Sequence, residues 1–239
     1  CPIKGKGEKD VDMVIFRENT EGAYVGMGGN FKRGTADEIA VQEDVSTRKG
    51  VERIIRYAFE FARREGRESI CMADKNNVQR YGGDLWMRVF EEVADEYSDI
   101  RNFHMFVDAL AMQMVRAPES FDVIVTNNLF GDIITDLGAA LQGGLGMAAS
   151  GNIHPGRVSL FEPIHGSAPK YTGKDVANPV GAILTAAMML QFLGFSDPAA
   201  RIERAVVQVV AAGETTVDIG GSLGTKAAGD AIRKRLDQG

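Results

Sequence analysis

Several features that would place this chain in a specialised class of protein are scarce or missing. Its 239 residues include two cysteines, Cys1 and Cys71, which lie far apart and lack the spacing of a metal site, so a reducing, cytoplasmic setting is expected. No apolar run approaches the ~20 residues that span a bilayer. The net charge is −6 and no basic run occurs, which argues against nucleic acid as a partner. The chain also lacks internal repeats and low-complexity segments.

What remains is the composition of an ordinary globular protein. Hydrophobic residues make up 44% of the chain and charged residues 25%, and the length suffices for one large or two small domains with a buried core. Apolar runs that predict strands alternate with amphipathic segments that predict helices, from residues 12–16 to residues 121–125. This alternation predicts an α/β fold with a mostly parallel sheet.

The functional interpretation centres on residues 126–136 (TNNLFGDIITD), which join a strand to a helix. They follow the apolar run at residues 121–125, and ligands collect at such junctions in open α/β sheets. Asp132 and Asp136 are four residues apart, so on a helix they share a face, with Cβ atoms ~5–6 Å apart. Two carboxylates at this spacing suit a hard cation such as Mg²⁺ or Mn²⁺, although a lone pair of this kind also fits a solvated helix face.

Three other predicted strands end in a charged residue. Arg17 follows the first strand, with Tyr24 in the turn beyond it, and Lys75 and Asp108 follow two later strands. An arginine fork suits a carboxylate and a tyrosine can donate a proton, although an ordinary surface turn fits the Arg17 segment equally well. Together with the two aspartates, this set describes a site with carboxylates for a cation, a lysine base and an arginine for an acidic substrate.

The second half of the chain has a different character. Small residues dominate residues 143–151 and predict a domain boundary, and their glycine spacing matches a dinucleotide fingerprint without the strand and acidic residue that such a site needs. A strand predicted at residues 158–161 leads into a polar loop at residues 162–171 (EPIHGSAPKY), which closes at residues 177–179 (ANP). Such a stiff loop can hold a planar ring, although it also fits a well-ordered connector, and a lone histidine such as His165 is more often structural.

These motifs resemble those of the β-decarboxylating dehydrogenase family, which includes isopropylmalate, isocitrate, homoisocitrate, tartrate and D-malate dehydrogenases. The resemblance covers essentially the whole chain and is strongest across residues 128–147, which are similar to the long signature of the family. Residues 165–169 (HGSAP) with 177–179 (ANP) resemble its adenosine-binding loop. Residues 216–222 (TVDIGGS) are similar to its C-terminal region.

The resemblance implies an isopropylmalate-dehydrogenase-like two-domain α/β fold with a shared parallel or mixed sheet core, incomplete at the N-terminus. Residues 1–142 would form the central domain, which carries dimerisation, metal and substrate roles and an arm near residues 26–46. Residues 143–239 would form the C-terminal half of the large cofactor-binding domain. A further N-terminal segment would supply the other half of that domain and two substrate arginines.

The resemblance also implies a metal site and a base shared between subunits. Asp132 and Asp136 would bind Mg²⁺ or Mn²⁺ together with Asp108, which in this family comes from the second subunit of a homodimer. Lys75 would also be contributed by the second subunit and would accept the proton of the substrate hydroxyl. Dimerisation would then be part of the mechanism.

The remaining implied roles concern the substrate and the dinucleotide. Arg17 would hold a carboxylate of a 2-hydroxy acid, Val78 would contact the substrate, and Tyr24 would protonate the enolate left when the β-carboxylate is lost. The residues implied in cofactor binding are Glu162, His165, Gly166, Ser167, Ala168, Pro169, Lys170 and Asn178.

Different segments resemble different members of the family. Residues 18–22 (ENTEG) resemble the isocitrate, homoisocitrate and tartrate branches, whereas residues 74–78 (DKNNV) and 161–169 resemble the isopropylmalate branch. On balance the isopropylmalate branch is favoured, with oxidative decarboxylation of 3-isopropylmalate by NAD in leucine biosynthesis. Isocitrate, homoisocitrate and tartrate or D-malate activities are the alternatives.

Two further alternatives concern the cofactor and catalysis itself. Lys170 with Tyr171 resembles the pair in NADP-dependent isocitrate dehydrogenases, where a cation meets the 2′-phosphate, so NADP is the alternative to NAD. A non-catalytic homologue with the same fold is the alternative to an enzyme. The presence of Lys75, Tyr24 and all three aspartates argues against it, because such a homologue is expected to lose one of them.

Overall fold

The chain, described by a computed structural model at residues 1–7, 9–156 and 158–237, divides into two compact units. One unit is Ile3–Gly138, and the other is Cys1–Pro2 with Ala139–Gly239; sequence reasoning places the boundary at residues 142–143. The last two residues of the second predicted domain lie outside the described residues. Every described helix is too short or too polar to cross a membrane.

Strands and helices alternate along much of the chain, which confirms the predicted α/β class. The strands are β1 (Val14–Arg17), β2 (Gly28–Phe31), β3 (Ile39–Gln42), β4 (Ser69–Asp74), β5 (Arg101–Phe106), β6 (Val123–Thr126), β7 (Ala149–Asn152) and β8 (Leu160–Pro163). The α-helices are α1 (Arg48–Arg64), α2 (Arg80–Ala94), α3 (Val107–Arg116), α4 (Asn128–Gln142), α5 (Val180–Phe192), α6 (Ser196–Ala211) and α7 (Thr225–Leu236).

Four parallel strands form the sheet of the Ile3–Gly138 unit, in the order β1-β6-β4-β5. Every residue of β4 and of β6 is buried, as expected of parallel strands that are covered on both faces and therefore read as apolar runs. The register pairs Arg17 of β1 and Ala73 of β4 with Thr126 of β6. These three strands therefore end at the same level of the sheet.

The helices α1 and α2 pack together and supply most of the core of this unit. Phe59 of α1 lies against the rings of Phe90 and Tyr97, with centroid distances of 5.7 and 5.0 Å. Trp86 is 3% exposed and belongs to the same cluster, in agreement with the core role predicted from its helical spacing. The first turn of α1 is capped by the side chain of Thr47, because its hydroxyl accepts a backbone hydrogen bond that the helix leaves unsatisfied.

A two-stranded antiparallel ribbon, β2 with β3, occupies the segment where the sequence predicts an arm. Every residue of both strands is exposed. Among them are three large apolar side chains, Phe31 at 58%, Ile39 at 54% and Val41 at 41% exposure. A ribbon of this kind buries little apolar surface of its own and is marginally stable in water.

The second unit is built mainly from helices. The helices α5, α6 and α7 share a core that contains Val180, Ala205, Val206, Val209 and Ile232. The strands β7 and β8 pair in antiparallel register from Ala149–Pro163 to Asn152–Leu160. Sequence reasoning predicted a strand near β8 but missed β7, because Ala, Gly and Asn have low strand propensity and the pairing with β8 overrides it.

Candidate functional site

The carboxyl ends of the four parallel strands meet at one edge of the sheet, and the candidate side chains follow them. Arg17 ends β1, Lys75 follows β4, and Asp108 lies in the first turn of α3, directly after β5. The helix α4 starts two residues after β6 and carries Asp132 and Asp136. Ligands bind at this edge in open α/β sheets, so the topology supports the predicted location.

Arg17 is held from two sides. Its Nε donates to the backbone oxygen and to Oδ1 of Asn128, at 3.0 and 3.1 Å, and its Nη2 donates to the same Oδ1 at 2.8 Å. Its Nη1 forms an ion pair with Oδ1 of Asp132 at 2.9 Å. The ring centroid of Tyr24 lies 5.3 Å from the guanidinium carbon. The fold thus brings Arg17, Tyr24 and Asp132 into one group.

Lys75 and Asp108 form a second group. The distance from Lys75 Nζ to Asp108 Oδ1 is 2.5 Å, and the same Nζ lies 5.3 Å from the ring centroid of Phe106. The hydrogen bond from Lys75, together with backbone hydrogen bonds at residues 108 and 109, lowers the pKa of the Asp108 carboxyl below its usual range. This carboxyl is therefore ionised at neutral pH, the state that a metal ligand requires.

The strand order keeps the two groups apart. Asp132 and Asp136 lie on the helix after β6, whereas Asp108 follows β5, and two strand spacings separate β6 from β5 by ~10 Å. Two oxygens on one Mg²⁺ are at most ~4 Å apart, since each metal–oxygen bond is ~2.1 Å. Among the described residues, no group of three or more His, Cys, Asp or Glu side chains could hold a metal ion. Asp108 thus does not meet Asp132 and Asp136 within one chain.

Asp132 and Asp136 nevertheless have the donor chemistry of a hard-cation site. They lie one turn apart on α4, and the side chain of Asp132 is 49% exposed. Carboxylate oxygens suit Mg²⁺ or Mn²⁺, which take about six ligands. The pair fits part of such a coordination sphere, and the other ligands must come from water, substrate or another chain.

Val78 lies close to Lys75 in the chain, in the turn between β4 and α2. The backbone N–H groups of Val78 and Gln79 both donate to the backbone oxygen of Lys75 at 2.8 Å. Its side chain is 69% exposed. A cavity of about 230 Å³ opens beside this turn, and burial raises the pKa of Asp44 in its lining.

Sequence reasoning missed three buried polar side chains beside the strand ends: Glu18, Asp74 and Asn128, each 2–3% exposed. Asp74 precedes Lys75, and its Oδ1 lies 2.7 Å from Nε2 of His104. The partners of these side chains stand 30 residues away for Asp74 and 111 residues away for Asn128. The only sequence signal was their position next to a predicted strand end.

In the second unit, the predicted cofactor residues lie on β8, on the loop after it and just before α5. Oδ1 of Asn178 accepts from the Val180 N–H at 3.0 Å, and its Nδ2 donates to Asp218 Oδ2 at 3.0 Å. Nδ1 of His165 lies 3.0 Å from the Gly166 oxygen, while its Nε2 is buried and has no hydrogen-bond partner among the described residues. A buried polar atom without a protein partner fits a ligand contact.

The rest of this loop is exposed and partly in an unusual backbone conformation. Ala168 has a φ of +40°, and a 3₁₀ turn follows at Pro169–Tyr171. Gly166 and Ser167 are exposed, Glu162 on β8 accepts a hydrogen bond from Asn152 Nδ2 at 3.2 Å, and Lys170 Nζ lies 4.9 Å from the Tyr171 ring centroid. All eight predicted residues therefore lie within one short part of this unit.

Comparison with known proteins gives concordant matches. The family model described as isocitrate/isopropylmalate dehydrogenase matches residues 1–232. The 3-isopropylmalate dehydrogenase of Thermobifida fusca is 47% identical over 237 residues, which are 98% of this chain and 66% of that protein. The D-malate dehydrogenase [decarboxylating] of Escherichia coli is 44% identical over 241 residues, which cover 98% of this chain and 67% of that protein.

A solved structure matches equally well. The isocitrate dehydrogenase of Methylococcus capsulatus superposes with a TM-score of 0.90 at 45% identity, over 95% of this chain and 67% of that one. The chain spans about two thirds of the length of these relatives. From the match over residues 1–232 and identities of 44% to 47%, the chain belongs to the isocitrate/isopropylmalate dehydrogenase family.

Proposed function

We propose that the protein carrying this chain catalyses the metal-dependent oxidative decarboxylation of 3-isopropylmalate with NAD. The observation that carries the proposal is the Arg17–Asp132 ion pair at 2.9 Å, because it sets a carboxylate-binding fork beside a metal-ligating carboxylate. The substrate assignment is supported by the similarity to proteins named 3-isopropylmalate dehydrogenase. D-malate and isocitrate, named for relatives of almost equal identity, are the alternative substrates.

The side chains of this chain divide the chemistry among them. Arg17 binds a substrate carboxylate, and Lys75 accepts the proton of the C2 hydroxyl as the hydride leaves C2. Asp132, Asp136 and Asp108 would hold Mg²⁺ or Mn²⁺, which would supply Lewis acidity toward the substrate oxygen, and NAD would serve as the hydride acceptor. Tyr24 then protonates the enolate carbon left by loss of carbon dioxide.

A homodimer completes the site in this proposal. Lys75 and Asp108 of one subunit would face Asp132 and Asp136 of the other, because the described residues of one chain do not bring the three aspartates into one metal-binding group. The exposed ribbon of β2 and β3 offers apolar side chains and strand edges for a subunit contact. Each dimer would then hold two shared sites, as expected for a two-fold axis.

The loop of the second unit is the proposed dinucleotide site. The buried Nε2 of His165 and the amide of Asn178 would contact the adenosine, and residues 166–169 would lie against it through their backbone. Lys170 is the residue that favours NADP as the alternative, because a cation suits a 2′-phosphate.

A charge reversal at Lys170 tests the choice of cofactor. We expect the Lys170→Asp variant to raise the KM for NADP by about 10- to 100-fold, since a carboxylate would face the 2′-phosphate, and to change the KM for NAD by less than about threefold. Steady-state kinetics with both cofactors measure this ratio. The control is Lys174→Asp, which makes the same charge change in the same segment; an equal effect of both variants would exclude a specific role for Lys170.

An alanine at Gly131 tests the placement of Arg17. A Cβ at Gly131 would stand 2.4 Å from Arg17 Cγ, so the Gly131→Ala variant must displace the guanidinium. We expect kcat/KM to fall by about 10²-fold, the usual cost of misplacing a substrate-binding group by about 1 Å. The control is Gly138→Ala on the same helix, where the added Cβ would meet the side-chain ends of Ile15 at 3.2 Å and of Met114 at 3.8 Å. Wild-type kinetics in Gly131→Ala would contradict the role of Arg17.

The proposed function itself is tested with a substrate panel. The protein is expressed from its natural reading frame and assayed with Mn²⁺ against 3-isopropylmalate, isocitrate, homoisocitrate, tartrate and D-malate, each with NAD and NADP. The expected result is the highest kcat/KM for 3-isopropylmalate with NAD. Preference for another acid would overturn the substrate assignment, and no turnover of any acid would overturn catalysis.

A further inference from the structure

We propose that Asn128 is a positioning residue that joins Arg17 to the turn carrying Tyr24, so that both side chains are held in one arrangement. This inference rests on the proposed function, in which Arg17 binds the substrate and Tyr24 donates a proton. Asn128 is 2% exposed. Its amide makes hydrogen bonds in two directions, toward the end of β1 and toward the turn at residues 18–24.

Toward β1, Asn128 fixes the plane of the Arg17 guanidinium. Nε and Nη2 of Arg17 both donate to the single Oδ1 of Asn128, while Nη1 is paired with Asp132. A guanidinium has five N–H donors, so this arrangement leaves one N–H on each terminal nitrogen. These two remaining donors are available to a substrate carboxylate.

Toward the turn, Asn128 Nδ2 donates to the backbone carbonyl oxygen of Glu21 at 2.8 Å. The turn is anchored elsewhere by its own acids, because the Glu21 carboxylate accepts from the Thr47 N–H and hydroxyl at 2.7 and 2.9 Å. The buried Glu18 carboxylate accepts from the Thr20 and Glu21 N–H groups and from Arg53. These hydrogen bonds hold the turn in place, and the side chain of Asn128 connects the turn to Arg17.

Helix capping does not account for this side chain. Asn128 is the first residue of α4, but the capping bond comes from its neighbour, since Oδ1 of Asn127 accepts from the Phe130 N–H at 2.9 Å. The side-chain bonds of Asn128 go to Arg17 and Glu21 instead. Close packing supports the link, because a Cβ at Gly22 would stand 3.1 Å from the Cβ of Asn128, and Gly22 has a φ of +79°, a backbone conformation that favours glycine.

Two substitutions separate the hydrogen bonds of the Asn128 side chain to Arg17 from its hydrogen bond to Glu21. Asn128→Leu removes both interactions, and we expect the KM for the preferred 2-hydroxy acid to rise and kcat to fall, each by about tenfold. Asn128→Asp keeps oxygen acceptors facing Arg17 and loses the donor to Glu21, so we expect KM to stay within about threefold while kcat falls by about tenfold. Asn127→Ala is the matched control, because it removes a cap on the same helix without touching Arg17; its KM and kcat should remain within about twofold of wild type.

A readout without turnover keeps the inference separate from the proposed function. The Nη2–H of Arg17 donates to the Asn128 side chain, whereas the Nε–H also has the backbone oxygen of residue 128 as an acceptor. The Nη2–H signal, identified by its loss in Arg17→Lys, should therefore exchange slowly with solvent in NMR spectra of the wild type and of Asn128→Asp, and rapidly in Asn128→Leu. Unchanged exchange in Asn128→Leu would overturn the positioning role even if no acid is turned over. Equal shifts of KM and kcat in Asn128→Asp and Asn128→Leu would overturn the separation between the two interactions of Asn128.

Discussion

Replacement of Asp132 or Asp136 by asparagine is expected to lower turnover by about 10³-fold and to abolish tight Mn²⁺ binding. Each variant removes one anionic ligand from the proposed cation site on α4, and the Lewis acidity of a bound ion contributes several kcal/mol to the reaction, at ~1.4 kcal/mol for each factor of ten. Calorimetric titration with Mn²⁺ and steady-state kinetics after removal of metal with EDTA measure the two effects.

The two variants also separate the metal from Arg17. Asp132 is paired with Arg17 at 2.9 Å, so Asp132→Asn should additionally raise the KM for the hydroxy acid, whereas Asp136→Asn should act through the metal alone. The control is Asp84→Asn, which removes a carboxylate paired with Arg88 on the surface of α2 and should leave both Mn²⁺ binding and kcat unchanged. Full Mn²⁺ affinity in Asp136→Asn would contradict the site.

Mixing two inactive variants is expected to restore activity, and this is the second large effect. Lys75→Ala should lower kcat by about 10²- to 10⁴-fold through loss of the base, and Asp132→Asn should be inactive for the reason above. In a heterodimer of the two, one shared site receives an intact Lys75 from one chain and an intact Asp132 from the other. Co-refolded mixtures should therefore recover about a quarter of wild-type activity, since about half of the dimers are mixed and each has one intact site.

The matched control is a mixture of Lys75→Ala with Asp108→Asn. Both residues belong to the same group, with 2.5 Å between Nζ and Oδ1, so each shared site of the heterodimer lacks one of them and activity should not return. Recovery in this control, or no recovery in the Lys75→Ala and Asp132→Asn mixture, would show that the two groups do not meet across a subunit interface.

Much of the fold was predictable from local patterns. The apolar runs that became β1, β4, β5 and β6 and the helical pattern of α1 were visible in the sequence, because a fully buried strand and an amphipathic helix each have a characteristic periodicity. β7 was missed because its sequence, Ala-Ser-Gly-Asn, has no strand signal of its own. Its structure comes from pairing with β8, which a local pattern does not encode.

The candidate site was predictable in part for the same reason. Arg17, Lys75, Asp108 and Asp132 could be found because each directly follows a predicted strand or lies on the helix after one. Asn128 lies in the same signature and still escaped notice as a functional residue. Its partner, Arg17, is 111 residues away, and a hydrogen bond of that separation leaves no trace in the spacing of a single sequence.

The amino-acid sequence alone was sufficient to establish the α/β class, the motifs of the family and the chemical types of the candidate residues, because those properties depend on short stretches of chain. The grouping of these residues depended on the folded chain. In the order β1-β6-β4-β5, Arg17 and Asp132 follow the first two strands and form one pair, and Lys75 and Asp108 follow the last two strands and form another. Strand order arises from packing and pairing between distant segments, and these interactions determine which side chains can act together.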